Sequence, residues 1–290
     1  MKKSFYCIIL LSMVRMALTM LYAQSVNLLK NLDQKSIHIA AHRGAHLAYP
    51  ENSIAAIEEA IRLGASIVEL DVRATKDGVL VLMHDKTLNR TTGGDGEVGK
   101  HNYAEIQKMH LRGATDGEMS NLSIPTLEEA LRICKGKIII DLDFKEERKG
   151  FVAKTYDLIT QEGMEDQVLF FLYDYKKMPG IYKRNPKITI FPRARSMKDL
   201  TAILKMKMTS IIHIDDSFTE VDRLNVFRKE GIYLWMNSLG DDDEKARQEG
   251  AKIYQSSLEK YPYVRIVQTD YPNLWTEAIA VYSKADRSQE

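Results

Sequence analysis

From Ile37 onward, short apolar runs rich in Ile and Val alternate with stretches whose apolar residues recur at helical spacing. Nine runs read as strands: Ile37–His42, Ser66–Val72, Val79–His84, Lys137–Asp143, Val168–Leu172, Ile188–Phe191, Ser210–Ile214, Ile232–Met236 and Val264–Gln268. Several are apolar nearly throughout, as strands covered on both faces of a parallel sheet should be. Helix starts fall between most of them. Asn52 precedes Ile54, Ile57 and Ile61, and Gly64 suits the end of that helix. Thr126 with Glu129 makes a capping box, with Gly136 placed to end its helix. Ser196 with Asp199, Thr219 with Asp222 and Asp241 with Glu244 repeat the signal. This alternation predicts an α/β fold around a parallel sheet.

Two features depart from a regular (β/α)8 barrel. Nine strands are one too many, and Thr75-Lys76-Asp77-Gly78 leaves no room for a helix between the second and third. The stretch from Lys86 to Ser123 shows no convincing strand; it has a turn-rich tip at Thr91–Gly96 and a short helix around Tyr103–Met109. Loops at the C-terminal ends of barrel strands carry function, so this stretch reads as an active-site insertion after the third strand.

The N-terminus has another character. Lys2 and Lys3 precede an apolar stretch from Phe5 to Met20 that ends in Leu21-Tyr22-Ala23-Gln24. That is the layout of a secretory signal peptide cleaved after Ala23, leaving residues 24–290 as one domain exported to the periplasm or beyond. A short membrane-anchoring helix is the alternative, and Arg15 argues against a spanning one. Without residues 1–23 the chain carries 38 basic and 40 acidic side chains, a net charge of −2. No basic surplus is left to draw nucleic acid or anionic lipid. Cys134 is then the only cysteine, which excludes an internal disulfide.

The candidate chemistry lies on the strands. Glu69 and Asp71 sit at i and i+2 in Ile67-Val68-Glu69-Leu70-Asp71-Val72, so they share one face of a strand, and Asp141 and Asp143 repeat the arrangement. Buried carboxylates side by side repel and need a cation or a shared proton. Pairing with a nearby Arg or Lys would serve for one such pair; two pairs on separate strands favour a hard divalent ion, Mg²⁺ or Ca²⁺. His42 and His84 each close a predicted strand, where imidazoles could give and take protons. His213 has a weaker claim, in a strand followed by Asp215 and Asp216. Arg43 and Lys145 supply charge suited to phosphate or to neutralising the acids. Trp235, at a strand end, could form an apolar substrate wall or pack in the core.

His42-Arg43-Gly44, Pro50-Glu51-Asn52, Glu69-Leu70-Asp71-Val72, and Asp77-Gly78 before His84-Asp85 together resemble the signature of the glycerophosphodiester phosphodiesterases in order and spacing. Pro125-Thr126-Leu127-Glu128-Glu129, Asp143-Phe144-Lys145, Trp235-Met236-Asn237 and Thr269-Asp270-Tyr271-Pro272 resemble later motifs of that family. The resemblance implies a TIM-type barrel, a divalent cation, and hydrolysis of glycerophosphodiesters to glycerol phosphate and an alcohol. It implies metal ligands at Glu69, Asp71 and Asp143, an acid–base pair in His42 and His84, and phosphate contacts from Arg43 and Lys145. Asp143 stands where the family usually has glutamate, so Asp141 could share the third ligand place. A phospholipase acting on phosphoinositide or sphingolipid head groups is the nearest rival. A barrel glycosidase using Glu69 and Asp71, and a non-catalytic phosphodiester-binding protein, are more distant ones.

Overall fold

The computed structural model describes residues 32–113 and 117–287. The predicted signal segment, residues 1–23, lies outside them. Along the chain the strands are β1 (His38–Ala41), β2 (Ile67–Ala74), β3 (Leu80–Leu82), β4 (His110–Arg112), β5 (Met119–Ser123), β6 (Ile139–Phe144), β7 (Val168–Leu172), β8 (Thr189–Pro192), β9 (Ile211–His213), β10 (Tyr233–Asn237) and β11 (Val264–Thr269). β8, β7, β6, β2, β1, β11, β10 and β9 lie side by side in that order, all parallel. A parallel bridge between Arg193 and His213 joins the two ends and closes a TIM-type barrel.

Strand parity sorts the interior. Ala40, Ile67, Ile139, Leu169, Phe191, Ile211, Tyr233, Trp235 and Ile266 form one buried cluster, which plugs the barrel's centre. Neighbours of opposite parity, such as Val68, Leu70, Ile140 and Leu142, belong to the larger cluster packed under the helices. Each fully buried Leu or Ile contributes about 1.5–3 kcal/mol. Two positions beyond the plug, the inward side chains become polar on every strand but β7, which offers Phe171, and the mouth begins there.

The helices that support the mouth start where side chains can satisfy free backbone N–H groups. In α1 (Ile54–Arg62), Ser53 accepts from the Ala56 N–H and is the cap. Asn52, expected there, is in the left-handed region (φ 57°) and turned inward. The Thr126–Glu129 capping box is present, and so is the Ser196 cap on the Asp199 N–H. Thr219 does not cap: the helix Val221–Lys229 follows Glu220 without a side-chain cap. Asp241 is the first residue of its helix rather than its cap, which is Gly240.

The surplus strand is β3. It pairs antiparallel with the upper end of β2, Val72 opposite Leu82, so residues 75–78 form a hairpin turn rather than a crossover. Thr75 N–H donates to Val79 O and Gly78 sits at φ +86°, a conformation glycine adopts freely. His84 therefore follows a strand outside the barrel and reaches the mouth by folding back over it. The insertion also differs from expectation, because β4 and β5 pair within it as a hairpin. Its apolar side chains, among them Leu88, Val98 and Ile106, bury against Val81 and Met83 in a cluster of their own.

Candidate active site

β2 and β6 are in register with Glu69 beside Asp141 and Asp71 beside Asp143, so period-2 geometry sends four carboxylates into one mouth. Oxygens of Glu69, Asp71 and Asp143 lie within 4.8 Å of one another. Asp141 is buried just below and is not part of that cluster. Burial first, then the charges of Asp71, Asp143 and Asp141, push the Glu69 carboxyl well above its usual range. Burial and Asp143 do the same to Asp141.

Two cations answer these acids. Lys145 Nζ donates to Asp143 Oδ2 at 2.7 Å and lies 3.4 Å from Asp71 Oδ1. Burial alone would lower the Lys145 pKa, but Asp143 and Asp71 outweigh it and raise it. Tyr173 donates to the same Asp143 oxygen at 2.7 Å, and burial with that neighbouring charge pushes its phenol up to about 12. Arg43 Nε lies 3.4 Å from Asp71 Oδ2, while its Nη1 donates to Glu51 at 2.9 Å. Two cations do not balance four carboxylates. Asp143 Oδ1 is moreover buried without a hydrogen-bond partner, an arrangement that costs about 1–3 kcal/mol if left unmet. An oxygen-only cluster with an orphaned acceptor fits a hard divalent cation.

The loop after β1 is bent to serve this cluster. Arg43 and Gly44 both have positive φ, 53° and 81°. A Cβ at Gly44 would fall 2.7 Å from that of Ala56, so only glycine lets α1 approach. The bend aims the Arg43 N–H at Glu69 Oε2, 3.0 Å away. Asn52 clamps Asp71 twice, donating to Oδ2 at 2.8 Å and accepting from the Asp71 N–H at 3.1 Å.

His42 and His84 line the same cavity of about 120 Å³ as the carboxylates. His42 Nδ1 donates to Asp270 Oδ1 at 2.7 Å, leaving Nε2 on the site side, 3.9 Å from Glu69. His84 Nδ1 is held by Asp85 at 2.8 Å in the same way. Both acids are anchored in turn. Asp270 N–H donates to the buried Asp243 carboxylate, which also accepts from Ser238, Tyr254 and Thr269. Asp85 and Glu51 share Arg90 of the insertion, at 2.6–3.0 Å. Arg90 holds the Asp85 carboxyl below its usual range against some desolvation.

Thus the structure gathers His42, His84, Glu69, Asp71, Asp143 and Lys145 around one cavity, while Arg43 reaches Asp71 and Glu51 without lining it. Trp235 is elsewhere: it is fully buried in the central plug, 4.5 Å from the Phe191 ring, and forms no wall of the cavity. The wall on that side comes from Phe171, Tyr173, Arg193, His213 and Asn237, most of them without a claim from the sequence. Asp270, Glu51 and Arg90 were also missed as functional groups, although two of them lie in the quoted motifs.

A parallel barrel with an acidic cation cluster and two acid-anchored histidines at its C-terminal mouth defines a class of enzyme site rather than one reaction. Comparison with known proteins narrows it. The glycerophosphoryl diester phosphodiesterase family model matches residues 42–251, and the chain belongs to that family. It is 34% identical over 157 residues to a glycerophosphodiester phosphodiesterase from Bacillus altitudinis, covering 52% of this chain and 64% of that one. The chain thus spans just under two thirds of the length of such curated relatives. A glycerophosphoryl diester phosphodiesterase structure from Parabacteroides distasonis superposes with a TM-score of 0.76 at 27% identity, covering 86% of this chain and 88% of that one. An Oleispira antarctica phosphodiesterase, solved with the product sn-glycerol-3-phosphate, gives a TM-score of 0.70 at 25% identity, covering 87% and 99%.

Proposed function

We propose that the protein is an exported, metal-dependent phosphodiesterase that hydrolyses glycerophosphodiesters to glycerol phosphate and an alcohol, with His42 and His84 as its acid–base pair. One observation carries this reading: both imidazoles share a small cavity with three clustered carboxylates, and an acid fixes the Nδ1 of each. Family membership and the product found in the Oleispira antarctica relative support the substrate class.

Glu69, Asp71 and Asp143 would hold the divalent ion, Mg²⁺ or Ca²⁺, which would supply Lewis-acid charge at the nonbridging phosphate oxygens. Arg43 and Lys145 flank the same acids and would bind the phosphate oxygens beside it. With Nδ1–H given to Asp270 or Asp85, each histidine presents Nε2 to the site. One takes the proton of the attacking oxygen, and the other, entering protonated, delivers its proton to the departing alcohol oxygen. The attacking oxygen is that of water, or the glycerol hydroxyl next to the phosphate, which would close a cyclic phosphate that water then opens. Direct attack by water forms one P–O bond and breaks one. The cyclic route does so twice, once when the ring closes and the alcohol leaves, and once when water opens the ring.

The export reading rests on the apolar N-terminal segment alone, with residues 24–290 as the barrel unit. Among the described residues, no helix is long and apolar enough to cross a membrane. The test is a metal-supplied turnover assay on glycerophosphodiesters with His42→Ala and His84→Ala. Each substitution should cut kcat at least about a hundredfold; near-normal rates in both would remove the histidines from the mechanism.

A further inference from the structure

Beside the catalytic cavity lies a larger one, about 600 Å³, reached past Arg193, His213, Asn237 and Leu239, which border both. It runs between the ends of β9 and β10 and the two helices that follow β10, Asp241–Glu249 and Ile253–Lys260. The smaller cavity has room for the phosphoryl group and little more, so one alcohol arm of a diester must leave it. The larger cavity is the adjoining space.

Two side chains at the junction have a buried polar atom without a partner, the donor Arg193 Nε and the acceptor His213 Nδ1. Trp235 Nε1–H can only donate, and it points at Asn237 Oδ1 from 3.0 Å, which fixes the amide with its oxygen toward the pair. His213 Nε2 meets that same oxygen at 3.1 Å, so the proton of the neutral ring is on Nε2. Its Nδ1 is then a lone-pair acceptor, and it is buried without a partner on a side chain that is only 5% exposed. Burial, and then the charge of Arg193, draw the His213 pKa down to about 4, so the ring remains neutral near pH 7. Such an acceptor calls for a hydrogen-bond donor, which a hydroxyl supplies and a quaternary ammonium does not.

The other walls bear on what that donor belongs to. Ser256 and Ser257 face the cavity, and its charges are mixed in sign, with Asp215, Asp216, Asp241 and Asp242 against Arg193, Lys245 and Lys260, Arg193 and Asp215 being paired with each other. A quaternary ammonium would want open aromatic faces. The two aromatic side chains of the lining are engaged: Lys260 Nζ sits 4.9 Å over the Tyr261 ring, and Trp275 is stacked on Tyr254 at 4.3 Å. We propose that this cavity is the subsite for the diester's second alcohol, that it selects a hydroxyl-rich, uncharged alcohol over a quaternary ammonium, and that His213 Nδ1 accepts one of its hydroxyls. This rests on the phosphodiesterase reading above.

The experiment compares kcat/KM for glycerophosphoglycerol and glycerophosphoinositol with that for glycerophosphocholine, which has the same glyceryl end, in metal-supplied enzyme. A site built to bond a hydroxyl should favour the polyol arms by about tenfold or more. His213→Phe and the cavity-filling Lys245→Trp should each collapse that ratio toward one. Lys245 is exposed, so its variant keeps the test alive if the core substitution unfolds the chain. Equal rates on all three substrates in the wild type, a preference for choline, or an unchanged ratio in Lys245→Trp would overturn the proposal. So would an equal loss on all substrates in His213→Phe, which would assign the residue to the glyceryl end or to folding. No turnover of any glycerophosphodiester would instead sink the phosphodiesterase reading itself.

Discussion

Asp270→Asn perturbs the catalytic reading at one bond. The carboxylate accepts the His42 Nδ1 proton at 2.7 Å, which keeps Nε2 free to take a proton and stabilises the imidazolium once formed. A hydrogen bond to a charged group is worth about 1.5–3 kcal/mol, and partial exposure of Asp270 favours the lower half of that range. Losing it corresponds to roughly a 10–40-fold lower kcat at about 1.4 kcal/mol per decade. The asparagine amide can also donate to Nδ1, which would put the ring proton on Nε2 and leave His42 in the wrong tautomer in that population. The expected total is about 10–100-fold in kcat. The fold should be spared, because the Asp270 N–H keeps its bond to Asp243 in the variant. The assay is steady-state release of glycerol phosphate at saturating substrate and metal, with an unfolding curve run alongside. A variant within twofold of wild type in kcat, equally folded, would refute the claim that Asp270 orients a catalytic His42.

Four further outcomes are expected. Mg²⁺ or Ca²⁺ at a hundred times its Kd should stabilise the protein by about 2.7 kcal/mol in denaturant titrations, and Asp143→Ala should abolish that gain. Asn52→Ala should destabilise by about 2–3 kcal/mol, since it removes two buried bonds to Asp71 and leaves alanine in the left-handed region, as calorimetry can check. Arg90→Ala should lower kcat several-fold and speed amide exchange across residues 86–113, because this side chain ties the insertion to Glu51 and Asp85. His213 has a folded pKa of about 4 against 6.5 unfolded, so its contribution is full above pH 6.5 and is lost as pH falls toward 4. Between pH 7 and pH 5 it should remove about 2 kcal/mol of stability, a slope that His213→Gln should flatten.

The barrel was legible because its strands, apolar on both faces, announce a buried parallel sheet, and because Glu69 with Asp71 and Asp141 with Asp143 break that pattern at one parity. The same rule carried further would have found more of the mouth. Phe171 and Tyr173, Arg193, His213 and Asn237 share the parity of the plug residues Leu169, Phe191, Ile211 and Tyr233 on their strands. Trp235 shares it as well, but one step too deep, which is why it packs in the core while Asn237 reaches the cavity. β3 was hidden because a strand run does not reveal its partner; only the short turn Thr75–Gly78 hinted at a hairpin. The β4–β5 pair was hidden because both strands are short and mostly polar, with Leu111 their one fully buried side chain. Asp270 and Arg90 act across long sequence separations, and local spacing does not encode those pairings.

The central claim is that a divalent ion held by Glu69, Asp71 and Asp143 and the pair His42 and His84 together cleave a glycerophosphodiester. The most direct measurement is glycerol phosphate release from a panel of glycerophosphodiesters by chelator-stripped protein, before and after adding Mg²⁺ or Ca²⁺, for wild type and the two histidine-to-alanine variants. The account predicts activity that appears only with metal and falls at least about a hundredfold in each variant. Full activity in the chelated wild type, or undiminished turnover in both variants, would contradict it.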